Sequence, residues 1–307
     1  MIAIIGAGAM GGMLAAKLSA AGKKVVLVDV SASLVEQIQG QGLVVDTKNI
    51  GTETYRIEAA TEPGGLGQAE AVFFFVKAQH TASAAELAKP LVGPDTTVVS
   101  LQNGWGNADV LAEVFPSEQI VVGVTYHSAT VVGLGHVAHT GFGATYVGPY
   151  IDGASLQKAE EIGGWLGASD MDVTVTPQVK TEIWKKLILN AVTLPTSALT
   201  GLCAGAQGEE GDLLELLDAI TAESVAVARA QGYDITLEER VDRIHTILNN
   251  AGKGKSSMLQ DAEARRKTEI EVINGAVVKA AKKAGVPVPL NTAMVALIHG
   301  MERGWRQ

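Results

Sequence analysis

Short, almost wholly apolar runs alternate with helical patterns over the first 176 residues. Ile2–Ile5, Val25–Val28, residues 71–76, residues 97–101 and Ile120–Thr125 each span four to six positions with few polar interruptions. Such runs suit strands covered on both faces, as in a parallel sheet flanked by helices. Residues 10–21 and 82–91 place apolar side chains at helical spacing between them, giving the alternation of an α/β fold. Beyond Pro177 the period changes. Residues 180–194, 212–231, 236–250 and 268–284 all follow a 3.6-residue repeat. Thr236 and Glu239 have capping-box spacing, and Gly232 and Gly285 follow helix ends. The pattern predicts an N-terminal α/β domain over residues 1–172 and an all-helical domain over residues 173–307. A chain of 307 residues suits two domains.

The first turn carries chemistry. Gly6, Ala7, Gly8, Ala9, Met10 and Gly11 form G-x-G-x-x-G between a strand and a helix, and Asp29 closes the second strand 18 residues after Gly11. This is the dinucleotide-binding context of a Rossmann domain. Gly6 permits the tight turn, Gly8 lets backbone approach a pyrophosphate, and Gly11 lets helix and strand pack closely. The helix N-terminus offers N–H groups and partial positive charge to phosphate. A carboxylate at Asp29 can accept from both adenosine ribose hydroxyls and repels a 2′-phosphate. No arginine follows in Val30-Ser31-Ala32. NAD(H) is therefore favoured, with NADP(H) left open. Asp29 has an alternative reading as the cap of the next helix.

Composition narrows the field. A net charge of −9 lacks the basic footprint of a nucleic-acid binder. The one cysteine, Cys203, excludes a disulfide scaffold and reads as packing. No apolar run approaches the roughly 18 residues of a membrane span, and no basic segment precedes the first strand. The expectation is a cytoplasmic protein with no membrane partner. His136-x-x-His139 is a close histidine pair with no evident third ligand, so no metal site is expected. Hydrolase and phosphotransferase motifs are absent.

Polar residues at strand ends and on apolar helices supply further candidates. Lys77 ends one strand and could approach the cofactor or merely snorkel at the sheet edge. Asn103 ends the next in an Asn-Gly pair, which is either a plain turn or a contact to the nicotinamide. Lys23 and Lys24 are expected in solvent. Lys186 and Asn190 stand at i and i+4 on an apolar helix, while Lys185 points elsewhere. A lysine with a lowered pKa could act as a general acid, or Lys186 could be solvated. Ser256 and Ser257 could bind a carboxylate or cap a helix from Met258. Glu269 beside Thr268 could simply begin a helix.

Over essentially its whole length the sequence resembles the ketopantoate reductases (2-dehydropantoate 2-reductases). The resemblance runs through the fingerprint at residues 6–11, Val76-Lys77-Ala78, Gln102-Asn103-Gly104, residues 123–129 and residues 139–143. It continues through Trp184-Lys-Lys186-Leu-x-x-Asn190, residues 256–261, residues 267–270, Ile273-Asn274-Gly275 and residues 285–291. The lysine helix and the Ser-Ser-Met-Leu-Gln-Asp run are its specific parts.

The resemblance implies a Rossmann domain joined to a helical domain, with the active site in the cleft between. It implies reduction of a small 2-oxo acid to the (R)-2-hydroxy acid by hydride transfer. Lys186 matches the general acid. Ser257 and Asn103 match residues holding the substrate carboxylate or the nicotinamide end, and Asn190 matches a substrate-side amide. Glu269 matches an acid near the cofactor ribose and reaction centre. Lys77 and Ala129 match cofactor contacts. Two positions depart from the pattern. Leu194 stands where many members carry a second asparagine, and Asp29-Val30 stands where NADPH users often have a basic residue. Loss of an amide removes a partner for a polar substrate tail. An NAD-dependent D-2-hydroxy-acid dehydrogenase acting on a more apolar 2-oxo acid is thus an alternative, unless Thr193 or Thr196 takes over the contact. A non-catalytic NAD-binding module is a third reading. A homodimer is compatible with the sequence.

Overall fold

The computed structural model describes residues 1–48 and 50–305. It comprises two units, Met1–Gln102 with Asn107–Val179, and Asn103–Gly106 with Lys180–Gln307. In the first, the strands are β1 (Ile2–Ile5), β2 (Val25–Val28), β3 (Leu43–Thr47), β4 (Gly51–Tyr55), β5 (Glu58–Ala60) and β6 (Ala71–Phe74). They continue as β7 (Thr97–Ser100), β8 (Ile120–Thr125), β9 (Ser128–Gly133), β10 (His136–Gly141), β11 (Thr145–Pro149) and β12 (Val173–Val175). The helices are α1 (Ala9–Ala20), α2 (Ala32–Gln41), α3 (Thr81–Ala88), α4 (Asn107–Ala112) and α5 (Gln157–Ala168).

One sheet has the order β12-β11-β8-β7-β6-β1-β2-β5. From β8 to β5 every neighbouring pair is parallel, and β11 runs antiparallel to β8. All residues of β1, β2, β6, β7 and β8 are buried, which is why their sequences are mostly apolar, with the buried Thr97, Ser100 and Thr125 at strand ends. The chain steps outward from β1 to β2 and later returns to β6 on the other side of β1. That reversal is the switch point at which ligands bind beyond the carboxyl ends of strands in such sheets. This is a Rossmann-type domain. Its last strand, β12, lies past the 172/173 boundary expected from sequence, and the units divide after Val179. Three half-exposed residues give too short a pattern to register as a strand.

The second sheet, β4-β3-β10-β9, has no counterpart among the apolar runs. Its strands mix polar and exposed positions because only part of it is covered. Helix α1 lies between the two sheets, packing on β1 and β2 and also on β3, β9 and β10. A helix covered on opposite sides needs apolar or small residues around most of its circumference, and α1 buries Gly11, Gly12, Met13, Leu14, Ala15, Ala16 and Leu18.

The second unit is helical: α6 (Val179–Thr200), α7 (Ala204–Gln207), α8 (Asp212–Ala230), α9 (Leu237–Ala251), α10 (Ser257–Glu263), α11 (Asn274–Ala284) and α12 (Pro289–Gly304). The sequence predicts α6 to stop at Leu194, before Pro195, yet it continues to Thr200 with Pro195 inside. Proline cannot donate to the carbonyl four residues earlier. Here the buried Asn274 amide donates to Ala191 O at 2.8 Å and replaces that donor. Asn274 Nδ2 also donates to Asn291 Oδ1 at 3.0 Å, and Asn291 Nδ2 donates to Glu223 at 2.9 Å. A buried polar chain thereby ties α6, α8, α11 and α12 together.

The expected helix over residues 268–284 begins only at Asn274. Thr268 is turned aside, its N–H and hydroxyl both donating to Glu302 at 2.8 and 2.7 Å. Ile270–Val272 forms a single 3₁₀ turn after it. Glu269 therefore precedes that turn and does not start an α-helix.

Asn274→Ala should strip two buried acceptors, Ala191 O and Asn291 Oδ1, of their donor. The expected loss is roughly 1–3 kcal/mol of unfolding free energy, read by urea denaturation. A loss below about 0.5 kcal/mol, the range of neutral surface substitutions, would show that the amide does not support the helix through Pro195.

Candidate active site

The fingerprint turn fits a dinucleotide. Gly6 has a φ of +99°, a left-handed backbone that favours glycine. A Cβ on Gly11 would lie 1.9 Å from Gly6 O, so only glycine allows α1 to leave the strand this closely. A Cβ on Gly8 would meet nothing within 4 Å. That open space beside the half-buried Gly8, Ala9 and Met10 is where a pyrophosphate could approach. Helix α1 has no side-chain cap and no acidic residue in its first turn. Its first N–H groups could therefore hold phosphate.

Asp29 is built into the same turn. Its Oδ2 accepts the Ala7 N–H at 2.8 Å and its Oδ1 accepts the Ser31 N–H at 3.0 Å. The cap of α2 is Ser31, whose Oγ accepts from Leu34 N, so Asp29 does not have the capping role that was its alternative. Each carboxylate oxygen keeps acceptor capacity for a ribose hydroxyl. Val30 beside it is 81% exposed and brings no cation.

Lys77 follows β6 in extended geometry, half-buried, and leads into the 3₁₀ turn Ala78–His80. Gln102, without a role in the sequence-based expectations, holds this end of the sheet. Its Nε2 donates to Val76 O and to Thr81 Oγ1, each at 2.9 Å, and its Oε1 accepts from Ser100 Oγ at 3.0 Å. A lone amide at a strand end was its only signal. Ala129 lies on β9, paired with His139, and shares α1 as a neighbouring element with the fingerprint. Lys23 is partly exposed, with its Nζ 4.7 Å over the Trp165 ring. Lys24 is exposed.

In the helical unit, Lys186 Nζ donates to Asn103 Oδ1 at 2.9 Å. The two are 83 residues apart in sequence, and Asn103 packs with the helices although it follows a strand of the sheet. Burial pushes the Lys186 ammonium down to a pKa of about 8, with the Glu269 carboxylate opposing the shift. Burial wins because a desolvated ammonium loses more hydration than one carboxylate restores. Lys185, the surface alternative, pairs with Glu182 at 2.8 Å. Asn190 is buried one turn beyond Lys186. Ser256 is the cap of α10, its Oγ accepting from Leu259 N at 3.1 Å, and Ser257 opens the helix with an exposed side chain. Helix α10 thus starts one residue earlier than expected.

Leu194 is partly buried against the helical core. Neither threonine nearby is positioned as a replacement amide. Thr193 Oγ1 donates to Leu189 O, and Thr196 Oγ1 is buried and lies 2.6 Å from Gln207 Oε1. Trp105 is a second residue that carries no role in the sequence-based expectations. Its ring packs at 5.6 Å on the fully buried Trp184 and at 6.0 Å edge-on against Tyr233.

The close histidine pair of the sequence is split by the strand. Positions 136 and 139 of β10 point to opposite faces. His136 meets Asp46 at 2.8 Å, and His139 Nε2 lies 2.9 Å from His127 Nδ1. Burial, then His139, holds His127 down at about 4. Among the described residues no group of three or more His, Cys, Asp or Glu side chains could hold a metal ion. Cys203 is half-buried at the start of α7. No described helix is long and apolar enough to cross a membrane.

Known proteins match along both units. The family model described as ketopantoate reductase PanE/ApbA matches residues 2–152, and its C-terminal counterpart matches residues 178–302. A 2-dehydropantoate 2-reductase from Archaeoglobus fulgidus is 31% identical, covering 99% of this chain and 98% of its own. One from Halobacterium salinarum is 30% identical, covering 98% and 99%. Among solved structures, a ketopantoate reductase from Ralstonia eutropha superposes with a TM-score of 0.90 at 30% identity, covering all of both chains. A D-mandelate dehydrogenase with NADH and anilino(oxo)acetate reaches a TM-score of 0.94 at 25% identity with the same coverage. With both of its parts matched in order, the chain belongs to the ketopantoate reductase PanE/ApbA family.

Proposed function

We propose that the protein is a 2-dehydropantoate 2-reductase, converting ketopantoate to (R)-pantoate with Lys186 as general acid. The observation that carries this reading is the Lys186–Asn103 pair, a desolvated ammonium held by an amide at 2.9 Å. The nicotinamide cofactor, when bound, supplies the hydride to C2. Lys186 Nζ gives its proton to the C2 oxygen, so that no alkoxide accumulates. With a pKa of about 8, the amine is mostly protonated at neutral pH and yet gives its proton up more readily than an ordinary lysine. Asn103 accepts from the ammonium and fixes its direction. Asn190 and Ser257 supply polar groups to the substrate carboxylate and tail, and Glu269 acts on the charge of Lys186. Gly6, Ala7, Gly8, Ala9, Met10 and Gly11 hold the pyrophosphate, with Lys77 and Ala129 as further cofactor contacts. Asp29 accepts from the adenosine ribose and favours NADH over NADPH, because a 2′-phosphate would meet a carboxylate and the uncharged Val30.

Leu194 favours a second reading, a D-2-hydroxy-acid dehydrogenase acting on a more apolar 2-oxo acid. A leucine cannot hydrogen-bond the 4-hydroxyl of ketopantoate, and the neighbouring threonine hydroxyls are already engaged.

Initial rates with NADH and NADPH against ketopantoate and 2-oxoisocaproate separate the readings. Ketopantoate should have the higher kcat/KM, with NADH preferred. A tenfold advantage for 2-oxoisocaproate would select the second reading, and Leu194→Asn should then move the preference back toward ketopantoate. A clear NADPH preference would contradict the role given to Asp29. Lys186→Met should lower kcat by about 10²–10⁴-fold while leaving NADH affinity within a few-fold by fluorescence titration. A kcat within threefold of wild type would remove Lys186 from the chemistry.

A further inference from the structure

The turn Asn103–Gly106 follows β7 in the chain but packs with the helical unit. Something must hold it there, because Asn103 has to meet a lysine on α6. Three contacts converge on the two residues after Asn103. The Trp105 N–H donates to Val272 O at 2.9 Å. Gly104 has a φ of +88°, and a Cβ on it would lie 2.5 Å from the same Val272 O. The Trp105 ring packs on Trp184 at 5.6 Å and on Tyr233 at 6.0 Å.

Both ends of this clasp adjoin the acid. Trp184 precedes Lys186 by two residues on α6. Val272 closes the 3₁₀ turn that begins after Glu269, its N–H donating to Glu269 O at 3.1 Å. We propose that Trp105 is a positioning residue, clasping the Asn103 turn to α6 and to the Glu269–Val272 turn so that Asn103 Oδ1 stays on Lys186 Nζ. This inference deepens the reductase reading and rests on it.

The physical case is one of geometry against chain connectivity. Apart from Trp105, the turn is Asn103, Gly104 and Gly106, which have little of their own to bury. Trp105 supplies the apolar area, and tilted and edge-on aromatic packing adds directional preference. The fully buried Trp184 gives the ring a fixed floor, since a side chain in a packed core has few alternative rotamers. The backbone bond to Val272 O then sets the turn's rotation about that anchor. Small displacements matter here: a misplacement of about 1 Å of a positioned group can cost on the order of 10²-fold in rate.

The test reads Lys186 directly, without substrate or cofactor. In the full-length protein labelled with ¹³C-lysine, the Cε resonance of Lys186 is assigned by its loss in Lys186→Met and titrated. Asn103→Ala removes an acceptor that favours the charged amine and should lower its pKa by about one unit from wild type. Glu269 is the charged group that acts on the amine, and it is unchanged in every variant. Trp105→Ala should lower the pKa in the same direction, and the double variant should show no further shift. Trp105→Phe, which keeps an aromatic ring on Trp184, should restore most of the wild-type value. With ketopantoate, Trp105→Ala should reduce kcat by roughly 10²-fold and change KM for NADH less than threefold. If Trp105→Ala does not fold, Gly104→Ala displaces the turn from Val272 while keeping the ring, and should shift the titration alike. A Lys186 titration unchanged in a folded Trp105→Ala or Gly104→Ala protein would overturn the proposal, making Trp105 a packing residue only. An absence of 2-oxo acid reduction by the wild type, with the titration shifts present, would instead refute the reductase reading and leave the clasp standing.

Discussion

Withdrawing an ammonium from water is unfavourable, and the helical unit does this to Lys186. Burial and the Glu269 carboxylate pull its titration in opposite directions, and burial prevails, leaving the amine near pH 8. An ordinary surface lysine would hold its proton too firmly to be an effective acid at neutral pH. A fully isolated one would be neutral and have no proton to give. The intermediate position comes from burial set against one carboxylate, with the amine held in place by Asn103 Oδ1.

The fixing is structural and distributed. Lys186 sits in the first half of a 22-residue helix that would be expected to end soon after it, before Pro195. Asn274 supplies the missing donor to Ala191 O, and its link to Asn291 and Glu223 spreads that support over three other helices. In the Rossmann unit a comparable economy operates. Asp29 ties the end of β2 to the fingerprint turn through Ala7 N–H while keeping acceptor capacity for a ligand. In both units, polar groups that hold the fold lie beside those assigned to the chemistry.

Much of this was legible from sequence because burial writes simple patterns. The five central strands are mostly apolar since both faces are covered, and the fingerprint glycines follow from close approach of backbone to backbone. The amphipathic helices α8 and α9 were also readable, down to Thr236 as the cap of α9. What stayed hidden depends on contacts distant in sequence. The four-stranded second sheet has mixed, half-exposed strands that give no clean period. The end of α6 was misread because the donor that satisfies Ala191 O comes from a residue 83 positions away. His136 and His139 look paired in sequence, but a strand sends them to opposite faces. The candidate acid was visible as a lysine at i to an asparagine at i+4. Asn103 was visible as a strand-end Asn-Gly pair, but its contact with Lys186, 83 residues away, was not, and Trp105 looked like one more residue in a turn.

The pH dependence of kcat/KM for ketopantoate with saturating NADH tests the central claim most directly. Lys186 must be protonated to act as the acid, so its useful form predominates below its pKa. The rate should be level at lower pH and fall with rising pH through about 8, with a slope of one proton. The reverse oxidation of pantoate needs the neutral amine and should rise through the same region. A reduction rate that stays level to pH 10 in the wild type, with chemistry rate-limiting, would contradict a buried lysine as the proton donor.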